Sequence, residues 1–134
     1  DLAVEELSHF KEVVKLIHSR NEQLAPDQKD EYVNAFRKHH RDGREVYFLD
    51  RLLIAGIIEA RGAERFGLIA QALAPSKNQQ FYQAIARSEE RHHEVFTDLA
   101  HLYFDATTVA ARLAELIAIE ADICANLPLR AALH

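Results

Sequence analysis

Apolar residues recur at intervals of three and four along most of the chain, which is the spacing of one face of an α-helix. The few glycine and proline residues divide this pattern into five segments. These segments are 2–19, 27–41, 45–73, 77–104 and 107–126. The pattern therefore predicts five helices. The length of the third and fourth, about 28 residues each, indicates an antiparallel bundle.

Short polar stretches separate the predicted helices. Asn21 to Pro26 follows the first, Asp42-Gly43 is a turn signal before the third, and Pro75 comes just after the third. Asp105 or Thr107 can cap the last helix. Because no linker or low-complexity stretch interrupts the pattern, we expect one all-α domain over residues 1–134.

Composition removes several classes of protein. Of the 134 residues, 49% are hydrophobic and 28% charged, which is typical of a folded globular chain. The single cysteine, Cys124, excludes a disulfide framework and a cysteine-rich zinc site. No apolar run approaches the ~18 residues of a membrane span, and no signal peptide is recognisable, so we expect a cytoplasmic protein. The net charge of −5 means that binding to nucleic acid requires a local basic patch.

The motif Glu-x-x-His occurs three times, and the helical face of each copy distinguishes them. Glu6-x-x-His9 and Glu89-x-x-His92 share their faces with apolar residues, so these side chains are expected to point into the bundle. Glu90-x-x-His93 shares its face with polar residues and is expected to face solvent. We therefore retain only the first two copies.

Glu59 is a third inward carboxylate, since its face in segment 45–73 carries apolar and small residues. Burying unpaired carboxylates is costly, and no Arg or Lys lies on these three faces, so a cation is needed. Ferritin-like bundles bind two metal ions with one Glu from each of two helices and Glu-x-x-His from each of two others. Oxygen and nitrogen ligands without thiolate suit iron or manganese.

The order of these residues predicts one more ligand. Glu59 precedes Glu89 by 30 residues, but no Glu lies 30 residues before Glu6, because that position is upstream of Asp1. The sequence also begins without methionine, inside a predicted helix. We therefore expect a first helix, carrying the sixth ligand, to be missing from this chain.

Two other functions share much of this pattern. A ferritin-like iron-binding or peroxide-scavenging protein would use the same ligands. A non-enzymatic helical bundle would instead hold the inward His and Glu side chains by hydrogen bonds, as core histidines commonly are.

Two blocks of sequence carry a family resemblance. Residues 50–66 contain Ile-Glu-Ala-Arg and Glu-Arg-Phe, and residues 81–92 contain Ser-Glu-Glu-Arg-His. Both resemble the MiaE family of tRNA hydroxylases, as do residues 5–10 and 130–134. The chain departs from the family pattern at Gly62-Ala63 and within 18–30, where the family's Arg-Gly turn is absent.

The resemblance implies a ferritin-like di-iron monooxygenase that hydroxylates the isopentenyl group of 2-methylthio-isopentenyladenosine beside the tRNA anticodon. Two iron ions, O2 as co-substrate and an external electron donor, either a protein or another reductant, are implied with it. The implied iron ligands are Glu6, His9, Glu59, Glu89 and His92. Arg61 and Arg91 are candidate outer partners of the ligand carboxylates.

A tRNA substrate requires phosphate contacts, and one dense basic run can supply them. This run spans residues 37–44 and contains Arg37, Lys38, Arg41 and Arg44. The alternative is a solvated helix end, where cations are favourable. Tyr32 and Phe36 either stack on a base or pack in the core.

Overall fold

The computed structural model describes residues 2–128. It contains the helices α1 (Leu2–Ser19), α2 (Glu31–Arg37), α3 (Arg44–Ala72), α4 (Lys77–Tyr103) and α5 (Ala106–Asn126). The prediction of an all-α chain is confirmed, and four of the five helices begin and end within two residues of the predicted bounds. None of these helices has the length and hydropathy needed to cross a bilayer. Residues 130–134, part of the family resemblance, lie outside the described residues.

The prediction for the second helix is wrong at both ends. The predicted segment is 27–41, and α2 is about half as long. The helix begins only after Asp30, whose side chain accepts a hydrogen bond from the Val33 backbone N–H at 2.9 Å. It ends at Arg37 because the backbone N–H and the side chain of Arg41, four residues on, donate instead to the carboxylate of Asp50. Gly43 then adopts a φ of 116°, which favours glycine, immediately before α3.

Helices α3 and α4 form a long antiparallel hairpin joined by residues 73–76. Contacts run in opposite directions along the two helices. Phe66 stacks on Tyr82, Gly62 lies against Glu89, and Gly56 lies against Phe96. This pairing brings the middle of α3, where Glu59 lies, opposite the middle of α4.

The hydrophobic core lies where α2 and α5 pack on the first half of α3. Its fully buried members include Tyr32 and Phe36 of α2, Leu49 of α3, and Val109 and Leu116 of α5. Tyr32 and Phe36 are therefore core residues and are not available to stack on a base. Helix α1, by contrast, has no fully buried residue and contacts α4 through side chains such as the half-buried His9, which meets Glu89.

A buried carboxylate fixes the turn between α2 and α3. Asp50 is fully buried and accepts hydrogen bonds from the Arg41 backbone N–H and guanidinium and from the Arg112 guanidinium, at 2.8–3.0 Å. Arg112 also donates to the His39 carbonyl at 2.8 Å. Burial raises the pKa of Asp50, but the hydrogen bonds from Arg41 and Arg112 outweigh burial and hold the pKa below its ordinary value.

Candidate metal centre

Three helices bring the five predicted ligands to one place. Helix α1 supplies Glu6 and His9, α3 supplies Glu59, and α4 supplies Glu89 and His92. The i, i+3 spacing places each Glu and its His on one face of their helix. Glu89 and His92 are buried, whereas the Glu6 side chain is 47% exposed. The predicted sixth ligand precedes Asp1 and lies outside the described residues.

The imidazole of His92 lies at the centre of the carboxylates. Its Nδ1 atom is 3.0 Å from Glu6 Oε1, 3.7 Å from Glu59 Oε2 and 3.8 Å from Glu89 Oε2. His9 Nδ1 is 3.6 Å from both Glu6 Oε1 and Glu89 Oε1. Donor atoms of Glu6, Glu89 and His92 all lie within 4.8 Å of one another.

The carboxylates disturb one another electrostatically. Burial, followed by the hydrogen bond and charge of Glu89 and then the charge of Glu6, raises the pKa of Glu59 to about 9. Without a cation, the cluster therefore tends to retain a proton, because close carboxylates in a buried site cannot all be ionised. A divalent cation would remove this repulsion.

Glu5 is a member of the site that the sequence reasoning missed. Its Oε2 lies 3.2 Å from His92 Nε2, and it accepts a hydrogen bond from Ser88 Oγ, also at 3.2 Å. The bond with His92, followed by that from Ser88, holds the pKa of Glu5 below its ordinary value, so the carboxylate acts as acceptor. The contact between Glu5 and His92 Nε2 fixes the orientation of the ring, so that Nδ1 is directed at the cluster. In the sequence, the only indication of a role for Glu5 was its position next to Glu6.

The donor set fits a metal ion. Among residues 2–128, the only buried side-chain nitrogen or oxygen atoms that make no hydrogen bond of acceptable geometry are Nδ1 of His9 and Nδ1 of His92, although Glu6 Oε1 lies 3.6 and 3.0 Å from them. Both atoms face carboxylates, and a purely hydrogen-bonded histidine pair would not leave them unsatisfied. Two donors about 2.1 Å from one octahedral ion lie about 3 Å apart, which is close to the shortest separation in the cluster. Nitrogen and oxygen donors of this kind suit iron or manganese.

Neither predicted arginine contacts a ligand carboxylate. Arg61 donates to Glu120 Oε1 and Oε2 at 2.9 and 2.8 Å and to Glu64 at 2.7 Å, so it tethers α3 to α5. Arg91 donates to Ser88 Oγ at 3.0 Å and lies 3.4 Å from Glu5 Oε2. Arg91 therefore reaches the site only through Glu5, and Arg61 faces away from it.

Glu120 forms a polar cluster on the far side of α3. It is fully buried and accepts hydrogen bonds from Tyr32 Oη at 3.1 Å and from Cys124 Sγ at 3.2 Å, besides those from Arg61. Burial and then the charge of Glu120 raise the pKa of Tyr32 well above its ordinary value. Cys124 is half-buried and belongs to this structural cluster.

The third Glu-x-x-His copy matches its prediction only in part. Glu90 is exposed, as expected. His93 is half-buried, and its Nδ1 lies 2.9 Å from the Gly56 carbonyl oxygen. The prediction of a solvated His93 is therefore wrong, because the close approach of α3 at Gly56 brings a backbone acceptor to this ring.

The basic run divides between a structural and an exposed part. Arg41 is held by Asp50, although part of its side chain remains exposed. Arg37, Lys38 and Arg44 are exposed at the end of α2, in the following turn and at the start of α3. Arg37, Lys38 and Arg44 are therefore the cations of the run that remain available to a ligand.

A cleft of about 260 Å³ lies beside the cluster, between α1 and α4. Its walls include Glu5 and His9 on one side and Phe81, Ile85 and Arg91 on the other. Because the cleft reaches His9, a small molecule has access to the edge of the site.

Comparison with known proteins gives consistent relatives. Residues 1–134 match the family described as tRNA-(MS[2]IO[6]A)-hydroxylase (MiaE). The tRNA 2-(methylsulfanyl)-N(6)-isopentenyladenosine(37) hydroxylase of Pseudomonas putida is 35% identical over 119 residues, 87% of this chain and 56% of that protein. The enzyme of the same name from Salmonella typhimurium is 32% identical over 122 residues, 91% of this chain and 44% of that protein. The chain thus spans about half the length of these curated relatives.

A solved structure supports the fold. Protein 43 with aldehyde deformylating oxygenase activity from Synechococcus superposes with a TM-score of 0.89 at 30% identity, covering 96% of this chain and 64% of that chain. This similarity confirms the prediction of a ferritin-like helical bundle. Because the family match extends over every residue, the chain belongs to the MiaE family.

Proposed function

We propose that Glu6, His9, Glu59, Glu89 and His92 bind two iron ions. The observation that carries this proposal is the pair of buried Nδ1 atoms, on His9 and His92, that face carboxylates and make no hydrogen bond of acceptable geometry among the described residues. A non-enzymatic bundle held by hydrogen bonds does not account for them. Three carboxylates also offset three of the four positive charges of two divalent cations.

We further propose that the chain takes part in O2-dependent hydroxylation of the isopentenyl group of 2-(methylsulfanyl)-N6-isopentenyladenosine in tRNA. The names of the two curated relatives and of the family support this reaction, and the solved neighbour is named for an oxygenase activity. The chemistry that a pair of ferrous ions supplies in such a site is reductive activation of O2 and insertion of one oxygen atom into a C–H bond. The other oxygen atom leaves as water, with two electrons from an external donor and two protons.

The side chains of this bundle have three tasks in that proposal. The carboxylates and imidazoles hold the ions, and Glu5 keeps the His92 ring in the orientation that directs Nδ1 at the cluster. Ile85 and Phe96 lie on the cluster's side of α4 and restrict water. The cleft beside His9 admits small molecules to the edge of the site.

The RNA contacts in this proposal come from exposed cations. Arg37, Lys38 and Arg44 are placed to meet phosphates, and a contact of this kind gives an affinity that falls with salt. A tRNA substrate would make the cytoplasm the place of action.

The reaction is tested by incubating the iron-loaded chain with tRNA that carries 2-(methylsulfanyl)-N6-isopentenyladenosine, together with O2 and a reductant. Mass spectrometry of the digested nucleosides is expected to find a product heavier by one oxygen atom. The His92→Ala variant is expected to give none, because it loses the central imidazole. Product formation by this variant at the wild-type rate would contradict the proposed site.

A further inference from the structure

A group of exposed aromatic side chains lies at the end of the α3–α4 hairpin, away from the loop that joins these helices. Phe48 and Tyr103 meet edge to face with ring centroids 5.3 Å apart, and Phe104 lies 6.1 Å from Phe48. The Tyr103 residue is 61% exposed and Phe48 40%. With Arg44 and Glu45 they line a pocket of about 520 Å³, which we call the aromatic pocket.

The aromatic pocket lies on the same helical stripes as the metal ligands. Phe48 precedes Glu59 by eleven positions on α3, and Tyr103 follows His92 by eleven positions on α4. Eleven residues are close to three helical turns, so each aromatic residue shares its ligand's face at a distance of about 16 Å along the axis. With a rise of about 3.4 Å per stacked nucleotide, a single strand covers this distance in about five nucleotides.

The segment that contains Phe48 has a charge opposite to that of the whole chain. Between residues 37 and 51 there are five Arg or Lys and three Asp or Glu, whereas the whole chain has a net charge of −5. Asp50 is paired with Arg41 and Arg112, so setting Asp50 and Arg41 aside leaves four cations and two acids in this segment. Arg44 has no carboxylate within ion-pair distance in the described part of the chain and lies at the edge of the pocket, where Glu45 is the one acidic wall.

We propose that the aromatic pocket binds an unpaired nucleobase of the RNA substrate, with Arg44 on a neighbouring phosphate. Exposed aromatic faces beside cations are how proteins hold single-stranded nucleic acid, because every base offers a π-face for stacking. The aromatic pocket then holds one nucleotide about 16 Å from the metal centre along the axis of the hairpin. This inference rests on the proposed tRNA substrate, and it assigns a role to Phe48, Tyr103 and Phe104, which lie outside the basic run.

The test is binding of an RNA hairpin with 2-aminopurine in its loop, followed by the fluorescence of that base and by anisotropy. Tyr103→Leu is expected to weaken affinity about tenfold and to abolish the fluorescence change, since stacking on one aromatic ring is lost. Tyr103→Phe retains the ring and is expected to bind as the wild type does. Arg44→Gln is expected to lower the slope of log affinity against log salt by about 0.7.

Leu68→Ala is the matched control, because Leu68 is 58% exposed on the other half of α3. Circular dichroism of each variant verifies that it is folded, and the high exposure of Tyr103 makes misfolding of the test variant unexpected. If the wild type binds RNA and Tyr103→Leu binds equally well, the aromatic pocket is not an RNA site and faces another partner, while the proposed tRNA substrate stands. If the wild type does not bind RNA at all, the proposed function and this inference both fail.

Discussion

The most informative single substitution is at Glu5, which contacts His92 without belonging to the predicted ligand set. Glu5 accepts from His92 Nε2 at 3.2 Å and thereby fixes the ring orientation that directs Nδ1 at the carboxylates. Glu5→Ala removes this acceptor but leaves every proposed ligand in place. We therefore expect weaker iron binding in a protein whose five ligands are unchanged.

The expected loss of iron affinity depends on how exposed the hydrogen bond between Glu5 and His92 is. Loss of an outer partner of a ligating histidine typically costs 10- to 100-fold in metal affinity. The Glu5 side chain is 46% exposed, so water can replace part of the hydrogen bond, and we expect the lower end of this range. Tenfold corresponds to about 1.4 kcal/mol. The stabilisation of the fold by iron should fall by the same amount at saturating metal.

The assay is anaerobic titration with Fe²⁺, followed by thermal unfolding of the metal-free and metal-loaded forms. Glu5→Gln is expected to keep most of the affinity, because an amide oxygen can accept the same hydrogen bond. Glu12→Ala is the matched control, since Glu12 lies on the same helix, is similarly exposed and forms an ion pair with Lys15. Equal iron affinity in Glu5→Ala and the wild type, or an equal loss in Glu12→Ala, would refute the reasoning.

Four further predictions concern the scaffold. Asp50→Ala should destabilise the fold by about 3–5 kcal/mol in urea unfolding, because it deprives the buried Arg112 of its main partner. Because the pKa of Asp50 is lower in the folded state, the ionised carboxylate stabilises the fold fully above the unfolded-state pKa near 4, and this stabilisation is lost as the pH falls through the folded-state pKa. The free energies of unfolding of the wild type and Asp50→Asn should therefore differ less at pH 3 than at pH 7. Tyr32→Phe should lower the free energy of unfolding by about 1 kcal/mol, since Glu120 loses one of its hydrogen bonds. Asp105→Ala should cost about 1 kcal/mol in thermal unfolding, because the N-cap of α5 is lost.

Helical periodicity was sufficient to predict the long helices and the faces that carry the ligands. In α3 and α4 the apolar stripe continues over many turns, so the inward direction of Glu59 and His92 could be read from their neighbours. The Glu-x-x-His spacing then fixed which residues share a face. Both signals depend only on residues within the same helix, and the bounds of the long helices and the ligand faces agree with them.

The sequence pattern could not predict contacts between segments that are distant along the chain. Helix α2 is short because Asp50, nine residues after Arg41, captures the backbone that a longer helix would need. Arg61 turns toward Glu120, which follows it by 59 residues, rather than toward the ligands. Glu5 meets His92 across 87 residues. None of these pairings leaves a period or motif in the sequence, because side-chain partners are chosen by tertiary packing.

The measurement that tests the central claim most directly is the iron content of the chain after anaerobic reconstitution and desalting. The proposed site predicts tightly held iron in the wild type, and loss of that iron in a His9→Ala/His92→Ala double variant that still folds. Absence of iron from the wild type, or the same iron content in the double variant, would contradict the assignment of these residues as a metal centre.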